Sequence, residues 1–293
     1  MRTETFHIGY HKTGSTFLQE RVFSRLRETC YIYRQVDVDP DSRELVIPDE
    51  ERRRLEAARE EGRSVVVSSE GICGGLAEDY PEAAESVARI SPGARILLVI
   101  RSQYTILRSY HWLAVKAGLP LGIDDYVERI ITTGKLDYLR LVEAYVDQFG
   151  RDAVKVLPFE ELARDPEGFR RQVLEHLGSS EVPGPLEASP VRVSPSDLVV
   201  DAVLLANRLR NTLGLEARAA GRIRSGLMGG AFLISKWAGR IFGTKLRYRD
   251  FDRFRSALEA AYGPSNARLA RLLGLDLAGH GYPLAETETP SRV

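Results

Sequence analysis

Strand-like apolar runs separated by helical segments constrain the fold of this chain more than any other feature. The runs cover residues 6–8, 64–68, 95–100 and 154–157, and the second and third are continuous rather than alternating. Continuous runs are typical of central strands that are buried on both faces of a parallel sheet. The segments between the runs have the periodicity of amphipathic helices. The sequence therefore predicts an α/β fold in three layers, with a central parallel sheet flanked by helices.

A glycine-rich loop follows the first run. Residues 9–16 read Gly-Tyr-His-Lys-Thr-Gly-Ser-Thr, and they lead into a segment with a helical apolar face. The N–H groups and the dipole at a helix N-terminus favour an anion in such a place. Nucleoside-triphosphate loops carry a lysine after the second glycine, whereas here Ser15 holds that position and Lys12 lies inside the loop. We interpret the loop as an anion site with a charge from Lys12 and hydroxyls from Ser15 and Thr16. The alternative is a turn that only caps the helix.

A second candidate anion site follows the third run. Arg101 comes directly after residues 95–100, and Ser109 comes eight residues later. Open α/β sheets bind ligands at the carboxyl ends of their strands, and a guanidinium can bind a phosphate through two parallel hydrogen bonds. Ser109 can add a hydroxyl from the ensuing helix. The alternative role for Arg101 is an ion pair at a strand end.

Taken together, the two sites resemble those of a known enzyme family. Residues 11–16, His-Lys-Thr-Gly-Ser-Thr, resemble the 5′-phosphosulfate loop of sulfotransferases that use 3′-phosphoadenosine 5′-phosphosulfate (PAPS), in its bacterial form. Arg101 and Ser109 are similar to the family's 3′-phosphate motif, although Ser102 stands where members often have Asp or Asn. The resemblance implies a P-loop-like fold with PAPS as co-substrate and no metal. The nucleotide-binding residues that it implies are Lys12, Thr13, Gly14, Ser15, Thr16, Arg101 and Ser109.

The resemblance also implies a catalytic base and a group that stabilises the leaving phosphate. Glu70 follows the 64–68 run, so its carboxylate is expected on the same rim of the sheet as Lys12. Carbohydrate sulfotransferases use a glutamate to take the acceptor's proton, which makes Glu70 the predicted base and Lys12 the residue that stabilises the departing phosphate. Many cytosolic members use a histidine instead, so His111 is the second candidate for the base. The alternative for Glu70 is a structural role as a helix cap or as a partner of Lys12.

Weaker likenesses to the family continue along the chain. Residues 136–150 and 154–162 resemble the family's helix, strand and acidic run, and residues 262–269 resemble a helix start of bacterial members. The family's basic loop over the 3′-phosphate has no clear counterpart, and Arg192 is a weak substitute for it. The specific part of the likeness is therefore confined to the two anion sites.

The overall composition argues against several other classes of protein. Of the 293 residues, 41 are Lys or Arg and 41 are Asp or Glu, so the chain lacks the basic excess of a nucleic-acid binder. Two cysteines, Cys30 and Cys73, are too few for a disulfide framework. The first predicted strand begins almost at once, and no apolar run approaches the length of a membrane span. These observations predict a cytoplasmic protein.

We expect a single domain over residues 1–293, made of an α/β core at about 1–190 and a helical part at 194–285. Asp165 before Pro166 predicts a helix start, and Gly178 predicts its end. The region between the two parts is rich in Pro, Gly and Ser and is interpreted as a surface loop.

A basic and apolar segment covers residues 217–249, with eight lysines or arginines and no acid. It is a candidate for peripheral contact with an anionic membrane, for covering an acidic acceptor, or for a homodimer interface. It fits equally well a set of core-packed helices with a solvated basic face.

The predicted reaction is in-line transfer of a sulfuryl group from PAPS to an acceptor hydroxyl or amine. A glutamate base and the segment 217–249 favour a carbohydrate or a glycolipid among small-molecule acceptors. A P-loop kinase of small molecules is the competing enzyme class, which the missing lysine after Gly14 disfavours. A non-catalytic nucleotide-binding or membrane-surface protein of the same fold is the third reading.

Overall fold

A five-stranded parallel sheet forms the centre of the computed structural model, which describes residues 2–33, 36–181, 184, 195–213, 230 and 251–285. The described strands are β1 (Glu4–His7), β2 (Thr29–Tyr33), β3 (Asp37–Val38), β4 (Leu45–Val46), β5 (Ser64–Ser68), β6 (Arg95–Ile100) and β7 (Val154–Pro158). The order in the main sheet is β2-β5-β1-β6-β7, and every neighbouring pair is parallel. Strands β3 and β4 form a separate antiparallel pair.

The predicted parallel sheet is confirmed. The four predicted runs are strands β1, β5, β6 and β7, and the two continuous runs are β5 and β6, which lie on either side of β1 inside the sheet. Strand β2 was not predicted. It lies at the edge of the sheet, and its Thr-Cys-Tyr-Ile-Tyr sequence contains the aromatic and β-branched residues that strands favour.

Helices cover both faces of this sheet. The described α-helices are α1 (Ser15–Phe17), α2 (Asp49–Glu60), α3 (Ala83–Ile90), α4 (Gln103–Lys116), α5 (Ile123–Thr132), α6 (Tyr138–Phe149), α7 (Phe159–Arg164), α8 (Pro166–Leu177), α9 (Asp197–Leu213) and a C-terminal helix (Arg255–Leu273). The predicted start of α8 is confirmed, since Asp165 Oδ1 accepts a hydrogen bond from Gly168 N at 2.9 Å. Gly178 ends the helix with a positive φ of 66°.

Alternating side chains of the inner strands pack into a core on each face. Val66 and Leu97 pack with the helical segment after the loop and with α8. Phe6, Val65 and Ile96 belong to a larger core on the other face, which includes residues of α3 and α6. The three predicted layers are therefore present.

The helical segment after the loop is not a regular α-helix. Helix α1 continues as a π-helical turn at Leu18–Val22 and then as a 3₁₀ turn at Phe23–Arg25. Leu18, Val22 and Phe23 are all buried, so the predicted apolar face is correct although the helix type differs. Single π turns occur mostly at functional sites.

Three segments highlighted by the sequence meet at one edge of the sheet. Strand β1 lies between β5 and β6, with His7 opposite Ser68 on one side and Leu97 on the other. Parallel strands end at the same edge. The loop 9–16, Glu70 and Arg101 thus follow three neighbouring strands onto one rim.

The described C-terminal helices pack on this core through polar contacts. Asn207 of α9 donates hydrogen bonds from Nδ2 to the carbonyls of Val115 and Leu119, at 2.7 and 3.0 Å. Residues 262–269 do not start a helix as predicted, because they lie inside the helix that begins at Arg255. Pro264 is therefore an internal residue of this helix.

Some of the predicted features cannot be placed on this framework. Arg192 and, apart from Gly230, the basic segment 217–249 lie outside the described residues. No helix in the described part of the chain is long and apolar enough to cross a bilayer. The single-domain organisation stays a prediction.

Candidate active site

The loop after β1 is built around two residues with positive φ. Lys12 has a φ of 66° and is exposed, and Gly14 has a φ of 88°. A side chain at Gly14 would be disfavoured by the positive φ and also by a steric clash, since a Cβ there would lie 2.7 Å from Leu162 Cδ2. The loop therefore lies directly on α7, and only glycine fits at its second glycine position.

The hydroxyl predicted for Ser15, together with that of Thr13, faces into the loop. Thr13 Oγ1 and Ser15 Oγ both donate to the Tyr10 carbonyl, at 2.5 and 3.3 Å, and both side chains are buried. These bonds close the loop on itself. Lys12, in contrast, is exposed, and Thr16 is half-buried.

Arg101 connects the second site to the loop. Its Nη1 donates to the Lys12 carbonyl at 3.1 Å, and its Nε donates to Thr105 Oγ1 at 3.0 Å. The guanidinium also lies 4.8 Å from the centre of the Phe159 ring. Burial lowers the pKa of Arg101, and the charge of Glu160 opposes that shift. Because burial disfavours the bare cation, an anion at this point would stabilise it.

The end of β6 is fixed by contacts from three other segments. The Tyr138 hydroxyl donates to the Arg101 carbonyl at 2.6 Å, and Ser102 N donates to Glu160 Oε1 at 3.0 Å. The Ser102 hydroxyl donates to the Gly281 carbonyl at 2.7 Å. Ser102, which stands where an Asp or Asn was expected, thus connects the turn after β6 to Gly281 through its hydroxyl. Ser109 lies two helical turns further along α4 and is buried.

Glu70 pairs with a residue of the loop, His11. Its Oε2 lies 2.9 Å from His11 Nδ1, and the side chains of His11 and Glu70 are 30% and 15% exposed. The His11 ring lies 6.5 Å from the Tyr110 ring. Sequence reasoning assigned His11 to the loop without a defined partner, and the contact joins the ends of β1 and β5.

The two other histidines near these elements are buried. The second candidate base, His111, has its Nε2 3.1 Å from the Leu121 carbonyl, and its ring lies 5.3 Å from that of Tyr126. His7 has its Nδ1 2.8 Å from Ser68 Oγ. Burial lowers the pKa of His7 to about 4, with the charge of Glu70 opposing the shift, so this ring is neutral in neutral solution.

A buried ion pair that the sequence did not indicate lies beneath the loop 9–16 and contacts its Tyr10 ring. Lys135 Nζ lies 2.5 Å from Asp79 Oδ1 and 4.6 Å from the centre of the Tyr10 ring, and the Lys135 side chain is fully buried. Burial raises the pKa of Asp79, and the Lys135 charge opposes this shift. Tyr10 also contacts Tyr138 edge-on, with ring centres 5.1 Å apart. The Tyr10 ring therefore connects the ion pair to the tyrosine that holds Arg101.

The described residues contain no group of three or more His, Cys, Asp or Glu side chains that could hold a metal ion. The polar groups of the rim are instead two cations, Lys12 and Arg101, and the His11–Glu70 pair. Such a set suits an anionic ligand beside a group that can accept a proton.

Comparison with known proteins finds a family model that matches part of the chain. A model described as the Sulfotransferase family matches residues 76–182, a segment that contains Arg101 and Ser109. The match agrees with the resemblance that Arg101 and Ser109 carry, whereas the loop 9–16 lies outside the matched segment. Comparison with curated proteins finds no match.

Two solved sulfotransferase structures are also similar to the chain. A sulfotransferase from Alicyclobacillus acidocaldarius is 23% identical, with 75% of this chain and 99% of that chain covered and a TM-score of 0.46. The mouse sulfotransferase SULT7A1 complexed with PAP is 12% identical, with coverage of 74% and 69% and a TM-score of 0.42.

Proposed function

We propose that this protein transfers a sulfuryl group from PAPS to an acceptor hydroxyl or amine. The observation that carries the proposal is the direct contact between the two anion sites, the Arg101 Nη1 bond to the Lys12 carbonyl at 3.1 Å. PAPS carries an anionic group at both its 3′ and its 5′ positions. A site that holds two cations on neighbouring strand ends is complementary to such a donor.

The two cations have different roles in the proposal. Lys12 and the N–H groups of the loop bind the 5′-phosphosulfate and stabilise the charge that develops on the departing phosphate. Arg101 and Ser109 bind the 3′-phosphate, away from the bonds that change. Binding energy gained there can hold the sulfuryl group in line with the acceptor. No metal is assigned a role.

Proton removal is assigned to the His11–Glu70 pair. The predicted base Glu70 lies on the same rim as the loop, and its contact with His11 brings a titratable ring to the same point. A base must lie within hydrogen-bond reach of the proton that it takes. The acceptor that we propose is a carbohydrate or glycolipid hydroxyl, for which sequence resemblance is the support.

The competing kinase reading is disfavoured by the placement of Ser15. This residue takes the position of the kinase lysine, and its buried hydroxyl faces the Tyr10 carbonyl. A P-loop kinase needs a lysine there to reach the terminal phosphates of ATP. We therefore expect weak or no binding of ATP with magnesium.

Thermal unfolding tests the proposed donor directly. Adenosine 3′,5′-bisphosphate should raise the midpoint in a concentration-dependent way, because a ligand that binds only the folded state stabilises it. ATP with magnesium should have little effect, and stabilisation by ATP alone would refute the proposal. Transfer of labelled sulfate from PAPS to a panel of sugars, glycolipids, phenols and amines then tests the acceptor class. Nucleotide binding without transfer to any acceptor or to water would support a non-catalytic binding protein.

A further inference from the structure

The contact between His11 and Glu70 has a defined direction. Carboxylate oxygens only accept hydrogen bonds, so the hydrogen between Glu70 Oε2 and His11 Nδ1 belongs to the imidazole. In the neutral ring the other nitrogen, Nε2, then carries a lone pair and can accept a proton. The geometry thus selects the tautomer that a base requires.

The exposed fractions of the two side chains indicate which of them a bound substrate would contact. The His11 side chain is 30% exposed, whereas that of Glu70 is 15% exposed and is directed at the ring. His11 also precedes Lys12 in the chain, so the ring belongs to the loop that would bind the transferable group. Glu70 contacts this loop through the His11 ring.

We propose that His11 Nε2 takes the proton of the acceptor, and that Glu70 is a positioning residue that fixes the ring and stabilises the imidazolium. This inference rests on the proposed sulfuryl transfer. As the acceptor oxygen forms its bond to sulfur, the bond from sulfur to the 5′-phosphate oxygen breaks and its electron pair leaves with the phosphate. The acceptor proton moves to His11 Nε2 and is later released to water.

The positioning of the ring has further support from its neighbours. The Tyr110 ring lies 6.5 Å away at 59° to the His11 ring, which limits how far the imidazole can turn away from Glu70. A carboxylate that orients a histidine in this way acts through the ring and does not itself touch the substrate. The roles of His11 and Glu70 are therefore separable by substitution.

The first test uses turnover and nucleotide affinity of the full chain. Sulfate release from PAPS to water needs no knowledge of the acceptor and provides the rate. His11→Asn keeps an amide that can face Glu70 but removes the accepting nitrogen, so turnover should fall by about 100-fold or more. Binding of adenosine 3′,5′-bisphosphate, measured by calorimetry, should change by no more than about two-fold, as expected for a group used only in the transition state. Added imidazole should restore turnover to His11→Gly.

Matched variants decide between the three candidate bases. Full turnover in His11→Asn together with its loss in Glu70→Gln would overturn the inference and make Glu70 the direct base. Loss of turnover in His111→Asn, with normal turnover in His11→Asn, would assign the base to His111. In support of the inference, Glu70→Gln should retain part of the activity, because the amide oxygen can still accept the bond from Nδ1.

The second test reads the tautomer and does not depend on catalysis. Nitrogen NMR signals of the His11 ring, assigned by their loss in His11→Asn, should show Nδ1 protonated and Nε2 unprotonated, and Glu70→Gln should shift them. A ring protonated on Nε2 alone would overturn the inference. Failure of the proposed function is distinguishable, because it would appear as absent binding of adenosine 3′,5′-bisphosphate to the unmodified protein whatever the tautomer.

Discussion

Arg101 Nη1 donates a hydrogen bond to the carbonyl of Lys12 at 3.1 Å. The residue that would bind the 3′-phosphate is therefore bonded to the backbone of the residue that would bind the 5′-phosphosulfate. A shift of one residue must displace the other, so this bond fixes the spacing of Lys12 and Arg101.

Substitution of Arg101 by lysine tests this connection. Lysine keeps the positive charge but loses the planar fork that reaches both Lys12 and Thr105. We expect the Kd for adenosine 3′,5′-bisphosphate to rise by about 10- to 100-fold, since hydrogen bonds to charged groups contribute about 1.5–3 kcal/mol. Calorimetry with adenosine 5′-monophosphate is the comparison, because this ligand lacks the 3′-phosphate: a smaller but measurable loss of its affinity would show that the bond to Lys12 also positions the loop, and an unchanged affinity would contradict the connection.

The buried Lys135–Asp79 pair should be strongly coupled. Lys135→Met leaves an unpaired carboxylate in the core and should lower the free energy of unfolding by about 3–5 kcal/mol. The double variant Lys135→Met with Asp79→Leu should be closer to the unmodified protein than either single variant, because no buried charge remains. Urea unfolding of the four proteins completes the double-mutant cycle, and additive losses would contradict a direct pair.

Acid should destabilise the protein in part through His7. Burial lowers the pKa of this ring from 6.5 to about 4, so between these pH values the unfolded state binds more protons than the folded state. Stability is therefore lost as the pH falls from 6.5 to 4, by roughly 3 kcal/mol for this one group. Urea unfolding of His7→Gln across this range should show a shallower dependence on pH, although His176, whose pKa is also lowered to about 4, still contributes. Parallel curves for the two proteins would count against the assignment.

Gly14 should tolerate no side chain. Gly14→Ala adds a positive-φ penalty of about 1–2 kcal/mol and a Cβ 2.7 Å from Leu162 Cδ2. Gly62 offers a matched control, because it has a φ of 68° and its Cβ would meet nothing within 4 Å. Urea unfolding should therefore show a larger loss for Gly14→Ala than for Gly62→Ala, and equal losses would mean that α7 yields freely.

The sheet and the loop were predictable because their signals are local. The continuous apolar residues of β5 and β6 mark inner strands wherever they occur, and Asp165 before Pro166 specifies a helix start within four residues. Strand β2 was missed although its Thr-Cys-Tyr-Ile-Tyr sequence is rich in strand-favouring residues, and its pairing with β5 identifies it.

The supports of the site were not predictable because they join distant parts of the chain. Lys135 finds Asp79 56 residues away, and His11 finds Glu70 59 residues away. The position of Glu70 after a strand predicted a carboxylate at the edge of the sheet. Its contact with the His11 ring, however, depends on the register between the two strands that precede these residues. Tyr138 likewise lies in no sequence motif that predicts its hydrogen bond to the Arg101 carbonyl.

The bond from the Ser102 hydroxyl to the Gly281 carbonyl joins residues 179 positions apart. During synthesis the N-terminal loop and β6 leave the ribosome long before residue 281 does. The turn that carries Arg101 therefore forms this bond only after residue 281 has emerged. Products that stop short of residue 281 retain both phosphate motifs in their sequence but lack the contact that closes the rim around them.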